Sequence, residues 1–209
     1  LTGITPLASL ANVLIVSPAK GWKTVGDLVS AAKANPGKFN YASAGIGGAT
    51  HLNAEKFKLQ AGFDAVHVPF KGTPEAISDV IGGRSDWYFS PVSGALPLVR
   101  EGKITALAVS TPQRSPILPQ VPTTVEAGVP GSDYIFWVGM IAPGATPPAI
   151  IKRLNEEAIK ALNHPEVKER LTKLGAEPLP MSPEAFNAFI RTEMESAARI
   201  AQAASLKAN

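Results

Sequence analysis

The sequence predicts an α/β fold, and three observations carry that reading. Short apolar runs of strand character alternate with segments whose apolar positions recur at the helical period. Turns rich in Gly and Pro punctuate them. Two of those turns, at residues 43–51 and 70–75, each stand between a strand and a helix, the arrangement that in open α/β sheets gathers ligand-binding groups at the carboxyl ends of strands.

In chain order, residues 1–8 open extended, since Thr5 precedes Pro6. Asn12–Val16 reads as a buried strand. Thr24 then caps a helix with Asp27 at its positive end, and Asn35-Pro36-Gly37 closes it. Phe39, Tyr41 and Ala42 suit a strand end. Gly45, Gly47 and Gly48 turn the chain, and Leu52, Phe57 and Leu59 give the next helix its apolar positions from Thr50 to about Gly62. Val66–Phe70 is a strand, followed by a helix with Thr73 as cap and Pro74 in its first position, stopped by Gly82-Gly83. Trp87–Phe89 is a strand, Ala95–Arg100 a short helix closed by Gly102, and Ile104–Val109 a strong strand. This order predicts a largely parallel sheet with helices on its faces. Residues 111–122 form an extended, proline-punctuated crossing segment. Thr123 or Thr124 with Glu126 begins a helical turn, and Tyr134–Ala142 is an aromatic-rich strand. Helices then start at Pro147, at His164-Pro165 and at Ser182-Pro183, the last running towards residue 207.

Composition narrows the function. The 209 residues suffice for one large domain or two small ones. A net charge of +3, with no basic cluster interleaved with aromatics, argues against a nucleic-acid binder. With no cysteine in the sequence, disulfides, thiol catalysis and thiolate metal sites are excluded, which fits an extracytoplasmic protein. No segment is long and apolar enough for a membrane-spanning helix, and no signal peptide is recognisable. A first residue of Leu rather than Met reads as a processed or truncated product.

The chemistry concentrates in the two glycine-bearing turns. A helix that opens on such a turn presents unpaired N–H groups and a partial positive charge, a seat for a carboxylate or phosphate. Ser43, Thr50 and His51 add side-chain donors; the plainer alternative is a strand-to-helix turn with a capping hydroxyl. The spacing matches neither a dinucleotide fingerprint nor a P-loop. Ser43 could act as a nucleophile with His51 as base, but position 41 is Tyr, so the G-x-S-x-G elbow is absent. His51, Glu55 and His67 could share a metal, though three histidines in the chain make a weak signal. Asp86 could act as a general base, the plainer alternative being a partner for a local donor at the strand start; Arg114 reads as structural ahead of catalytic, and Trp137 as core or as the lining of a ligand crevice.

Six stretches taken in order, TPLASLANVLIVSP, ANPGKFNYASAGIGGATHL, VPFKGTPEAISDVIGG, GKITALAV, RSPILPQVPTTVEAG and WVGMIAPGATPP, resemble the substrate-binding proteins of tripartite tricarboxylate transporters, the Bug family. The resemblance implies a periplasmic solute receptor with the two-lobed α/β fold of periplasmic binding proteins, type II-like, closing on its ligand as a Venus flytrap does. It implies as ligand a small organic acid, mono-, di- or tricarboxylate and aromatic acids included, and as partners the membrane permease subunits, with no nucleic acid, cofactor, metal or catalysis. The ligand-binding residues it implies are Ser43, Ala44, Gly45, Gly47, Gly48, Thr50 and His51 in the first turn, Gly72 and Thr73 in the second, and Ser90 at the end of the 87–90 strand. Many relatives carry Asp where this chain has Ser90, which turns the expectation away from cationic ligands. Relatives also carry further residues ahead of Leu1. The expectation is therefore a family member lacking its N-terminal third, with residues 12–133 as the complete, ligand-gripping lobe and residues 1–11 and 134–209 as a remnant of the other with its C-terminal helices. Such a remnant would expose apolar faces, self-associate, and leave carboxylate binding weak. The competing expectation is an α/β hydrolase-like or other small-molecule enzyme using Ser43 and His51.

Overall fold

A computed structural model describes residues 1–206. The chain divides into two compact units, one built from Ala11–Ile135 with residues 200–206, the other from Leu1–Leu10 with Phe136–Arg199.

The 11–135 unit is a five-stranded sheet with helices on both faces. In chain order it contains β2 (Asn12–Val16), α1 (Val25–Ala34), β3 (Asn40–Ser43), α2 (Ala49–Ala61), β4 (Val66–Pro69), α3 (Thr73–Ile81), β5 (Trp87–Pro91), α4 (Val92–Arg100) and β6 (Thr105–Val109), with β1 (Thr2–Leu10) preceding them in the other unit. The strands lie in the order β4-β3-β5-β2-β6. β3 pairs in parallel with β4 and β5, whereas β2 is antiparallel to both β5 and β6. The sheet is thus mixed where a largely parallel one was expected. The apolar run of β2 is buried at every position; periodicity of that kind reports burial on both faces and says nothing of direction, which pairing decides.

Alternation along the strands splits the core in two. Val13, Ile15, Ala42, Tyr88 and Val109 pack under α3 and α4, while Leu14, Val16, Tyr41, Trp87, Phe89 and Ala108 pack with residues of α1 and α2. The second cluster is rich in aromatic edges: Phe57 meets Phe63, Trp87 and Phe89 at centroid distances of 5.9, 5.7 and 5.4 Å, each near perpendicular. Helix α1 opens with the expected cap, in full reciprocal form: Asp27 N–H donates to Thr24 Oγ1, and Asp27 Oδ2 accepts from Thr24 N–H. Helix α3 departs from expectation by one position, with Gly72 as cap and Thr73 already helical. Asp86 latches the entry to β5, accepting from Asn40 N–H at 2.8 Å and pairing with Lys20 Nζ at 2.5 Å. Arg114 braces the crossing segment through Glu126 and the Pro119 carbonyl.

The second unit holds β1, β7 (Phe136–Ala142), α5 (Pro148–Asn163), α6 (Pro165–Lys173), β8 (Ala176–Pro178) and α7 (Pro183–Ala203). The part of the expected last helix reaching residue 207 lies outside the described residues. The three strands form an antiparallel sheet in the order β7-β1-β8. Trp137 packs in this unit against Phe186 and Phe189 and donates to Glu193. Asn155 ties α5 to the chain by donating to the carbonyls of Ile4 and Met181. The expectation of one complete lobe beside a partial one is therefore corrected: the residues outside 11–135 make a compact unit of their own, with a sheet, covering helices and buried apolar residues including Ile4, Ile151 and Phe186. Val138, Ile141, Ile150 and Met194 remain exposed on it.

The aromatic packing of this unit depends on two missing side chains. A Cβ on Gly3 would lie 2.7 Å from Phe186 Cδ1, and one on Gly139 would lie 2.6 Å from Phe186 Cζ and 3.3 Å from the Pro6 backbone. Gly139→Ala is expected to destabilise the protein by about 1–3 kcal/mol in urea unfolding, as overpacked cores are. Phe186→Leu in the same chain should recover part of that loss relative to the sum of the single changes; strict additivity would show that the ring is not the obstacle.

Candidate functional site

Because β3, β4 and β5 run in parallel, their carboxyl ends lie together, and α2, α3 and α4 begin there. The first glycine turn is held from within. Ala44 N–H donates to Thr50 Oγ1 at 3.0 Å, Gly45 N–H to Ser43 Oγ at 3.2 Å, and Gly47 N–H to His51 Nδ1 at 3.0 Å. Gly45 and Gly47 have φ of 146° and 71°, conformations that only glycine adopts without strain. Gly48 caps α2 without a side chain, and the first bonds onto its carbonyl come from the N–H groups of His51 and Leu52. The N–H groups of Ala49 and Thr50 are thus those that a helix start leaves open. They are the polar edge of the site and carry the positive end of the 13-residue α2 dipole.

Tyr88 joins the two turns. Its hydroxyl lies 3.2 Å from Thr73 Oγ1 and also meets the Thr50 side chain, so the starts of α2 and α3 share one hydrogen-bonded group. Burial raises the Tyr88 pKa above the usual phenol value, with the two threonine hydroxyls acting against the rise, so the group stays neutral. The start of α4 comes next. A Cβ on Gly94 would lie 3.1 Å from Thr73 Cγ2 and 3.8 Å from Ser90 Oγ, so Gly94 is the gap between these two side chains.

The structure therefore brings Thr50, Thr73 and Ser90 together, with Gly72 at the head of α3 and with Ala44, Gly45, Gly47 and Gly48 forming the turn beside them. It places Ser43 and His51 differently from a surface donor pair. Ser43 is fully buried and His51 is 2 % exposed. His51 accepts from Gly47 N–H and so supports the turn from behind. Ser43 Oγ meets His67 Nε2 at 2.6 Å, not His51. The rings of His51 and His67 stack 3.7 Å apart with 10° between their planes, and Tyr41 stacks on His67 at 5.0 Å. Stacked rings carry their nitrogen lone pairs in parallel planes and not toward a common point, so His51, Glu55 and His67 do not converge as metal ligands. Glu55 instead accepts from the Tyr41 hydroxyl and pairs with Lys58 Nζ at 3.0 Å. Tyr88 and Gly94 are the residues that sequence reasoning missed. Tyr88 had only its place in an apolar strand to mark it, and Gly94 only its nearness to Ser90.

Such a cluster of helix starts over the carboxyl ends of parallel strands is the ligand-binding architecture of open α/β units. Comparison with known proteins gives the family. The model of the tripartite tricarboxylate transporter family receptor matches residues 1–206, and the chain belongs to that family. A protein from the tcbD–tcbE intergenic region of Pseudomonas sp. (strain P51) is 36% identical over 189 residues, and BugT of Bordetella pertussis 30% over 195. Among solved structures, Rpa4515 of R. palustris with adipate has a TM-score of 0.90 at 31% identity, over 98% of this chain and 68% of that one. MatC of Rhodopseudomonas palustris with bound malate has 0.84 at 28%, over 97% and 69%. These matches take in nearly the whole of this chain, both units included, and correct the expectation that residues 1–11 and 134–209 are only a remnant beside one complete lobe. The chain spans 56% and 60% of the length of the two curated relatives, covering 90% and 93% of itself.

The histidine pair sets a pH dependence of stability. Desolvation lowers the pKa of His51, and it lowers that of His67 to about 4, with the neighbouring His51 and Lys58 adding to the effect. A histidine whose folded pKa lies below its unfolded value of 6.5 leaves the unfolded chain holding more protons between the two. Unfolding free energy is expected to hold above pH 6.5 and to fall as pH drops from there towards 4. His67→Gln should make that fall shallower in urea titrations; an unchanged slope would place the His67 pKa near its ordinary value.

Proposed function

We propose that the protein is a periplasmic receptor that binds a small organic carboxylate and delivers it to the membrane subunits of a tripartite transporter. The observation that carries this reading is the pair of open N–H groups at Ala49 and Thr50, held beside the hydroxyls of Thr73 and Ser90 by a turn whose Ala44, Gly45, Gly47 and Gly48 amides are bonded within the turn. One carboxylate of the ligand accepts from the start of α2. Thr73 meets the rest of the ligand, the fully buried Ser90 backs that side of the seat with its hydroxyl donated to the Pro91 carbonyl, and Ser43, His51 and the glycines shape the turn. Ser90 is neutral, so it does not repel a second acid group. Adipate and malate, bound by the two relatives above, make linear dicarboxylates the first class to test.

The site binds through the helix-start amides and hydroxyls. Hydrogen bonds to a charged acceptor contribute about 1.5–3 kcal/mol each, and a handful supports micromolar binding, roughly −8 kcal/mol. Hydrolysis through Ser43 is not favoured: the side chain is fully buried, and its oxygen is engaged by Gly45 N–H and His67.

A thermal-shift and calorimetric series with adipate, malate and an aromatic acid is expected to give saturable binding with the acid recovered unchanged. Gly47→Val should weaken it by about tenfold or more, because a β-branched residue at that left-handed φ costs roughly 1–2 kcal/mol and displaces the turn. Turnover of the acid, or undiminished binding by the variant, would overturn the assignment.

A further inference from the structure

The glycine turn has a second layer on its buried side. Two neutral imidazoles, one from α2 and one from β4, are stacked beneath the glycine turn, and each is bonded to a different part of it. His51 Nδ1 accepts from Gly47 N–H at 3.0 Å, so that nitrogen carries no proton, and the ring's one proton sits on Nε2. Nε2 has no hydrogen-bond partner among the described residues; the nearest acid oxygen, Glu55 Oε1, is 3.9 Å away. His67 Nε2 meets Ser43 Oγ at 2.6 Å, and the same oxygen accepts from Gly45 N–H at 3.2 Å.

We propose that His67 is a positioning residue of the carboxylate seat: as a neutral ring stacked on neutral His51, it fixes the Ser43 hydroxyl and through it the Gly45 amide, while His51 fixes Gly47, so that the turn keeps the start of α2 open. The inference rests on the carboxylate reading for its function but not for its geometry. A proton added to His51 Nδ1 sets two donors face to face across the Gly47 contact. A proton added to His67 at the nitrogen facing Ser43 makes that nitrogen a donor only, and leaves the hydroxyl's own proton to the Gly45 carbonyl 3.1 Å away. Two charged rings 3.7 Å apart repel, so the protons enter one after the other, His51 first. The remaining ionisable groups around the stack are Tyr41 on β3, which stacks on both rings, Glu55 and Lys58 on α2, and Asp64, which lies 3.8 Å from Lys58 Nζ. Glu55 is occupied by Tyr41 and Lys58, so it is not free to turn towards a newly charged imidazole. The seat is therefore built for an environment in which both rings stay neutral, and it fails in steps on acidification.

The test is made on the ligand-free protein by nuclear magnetic resonance, so that titration of an acid ligand does not enter. The imidazole carbons of His51 and His67 and the backbone amides of Gly45 and Gly47 are followed from neutral pH down through pH 4. The Gly47 amide is expected to move with His51, and the Gly45 amide to move later, with the His67 midpoint of about 4. In His67→Gln, which keeps a hydrogen-bonding group in place but cannot titrate in this range, the Gly45 step should vanish and the Gly47 step persist. Should Gly45 stay still while His67 titrates, or keep its step in the variant, the positioning role is wrong. Should the variant fold poorly, the wild-type comparison of the Gly45 and His67 midpoints decides alone. If adipate binds at no pH while Gly45 still follows His67, the carboxylate reading falls and the positioning role stands.

Discussion

The start of helix α2 has backbone N–H groups with no partner among the described residues, and the turn before it is arranged so that it supplies none. A capping Ser, Thr or Asp would satisfy them from within; position 48 is glycine, and the nearby hydroxyl of Thr50 is instead turned back to Ala44 N–H. α1 shows the contrast inside the same unit. There Thr24 and Asp27 close the helix start by a reciprocal cap, and nothing is left for a ligand. An open helix start costs stability, since caps of this kind contribute about 1 kcal/mol. What sets α2 apart from α1 is therefore a start with no side-chain cap that stands on a bonded glycine turn at the carboxyl end of β3.

Keeping the start open requires that the chain just before it be rigid, since a loose turn would fold back and bond the free groups itself. Three separate bonds hold the turn: Thr50 to Ala44, His51 to Gly47 and Ser43 to Gly45. Behind them lies the ring stack of Trp87, Tyr41, His67 and His51. Tyr41 joins this stack to the buried Glu55, which also pairs with Lys58, so that the acid on α2 is held by two donors while His51 keeps only its contact with the turn.

Much of this was legible in the sequence. Asn12–Val16 as a strand, the Thr24–Asp27 cap and the glycine turn opening α2 all follow from local chemistry that the fold keeps. What was not legible depends on pairing across the chain. Strand direction was one such feature: β2 runs against its neighbours although its composition would suit either direction. The partner of Ser43 was another. His51 is eight residues away in sequence and the natural first choice, yet parallel pairing of β3 and β4, with Tyr41 opposite His67, delivers His67 to the serine instead. Tyr88 escaped notice for the same reason, since an aromatic residue in an apolar strand looks like core until the two threonines that meet its hydroxyl are known.

The second unit shows where sequence reasoning about wholes and parts went astray. A segment judged by what it lacks was expected to be a remnant, yet Gly3, Gly139 and Phe186 interlock so closely that a single methyl on either glycine would collide with the ring. Shape fitting of that closeness arises only when all three residues are packed against one another in a defined arrangement, and Gly3 and Phe186 stand at opposite ends of the chain. Glycines that look like flexible punctuation in a strand are here the condition for a ring to lie flat on the sheet. The same residue type thus serves two opposite ends in this protein: in the turn before α2 it supplies backbone freedom, and in β1 and β7 it supplies space.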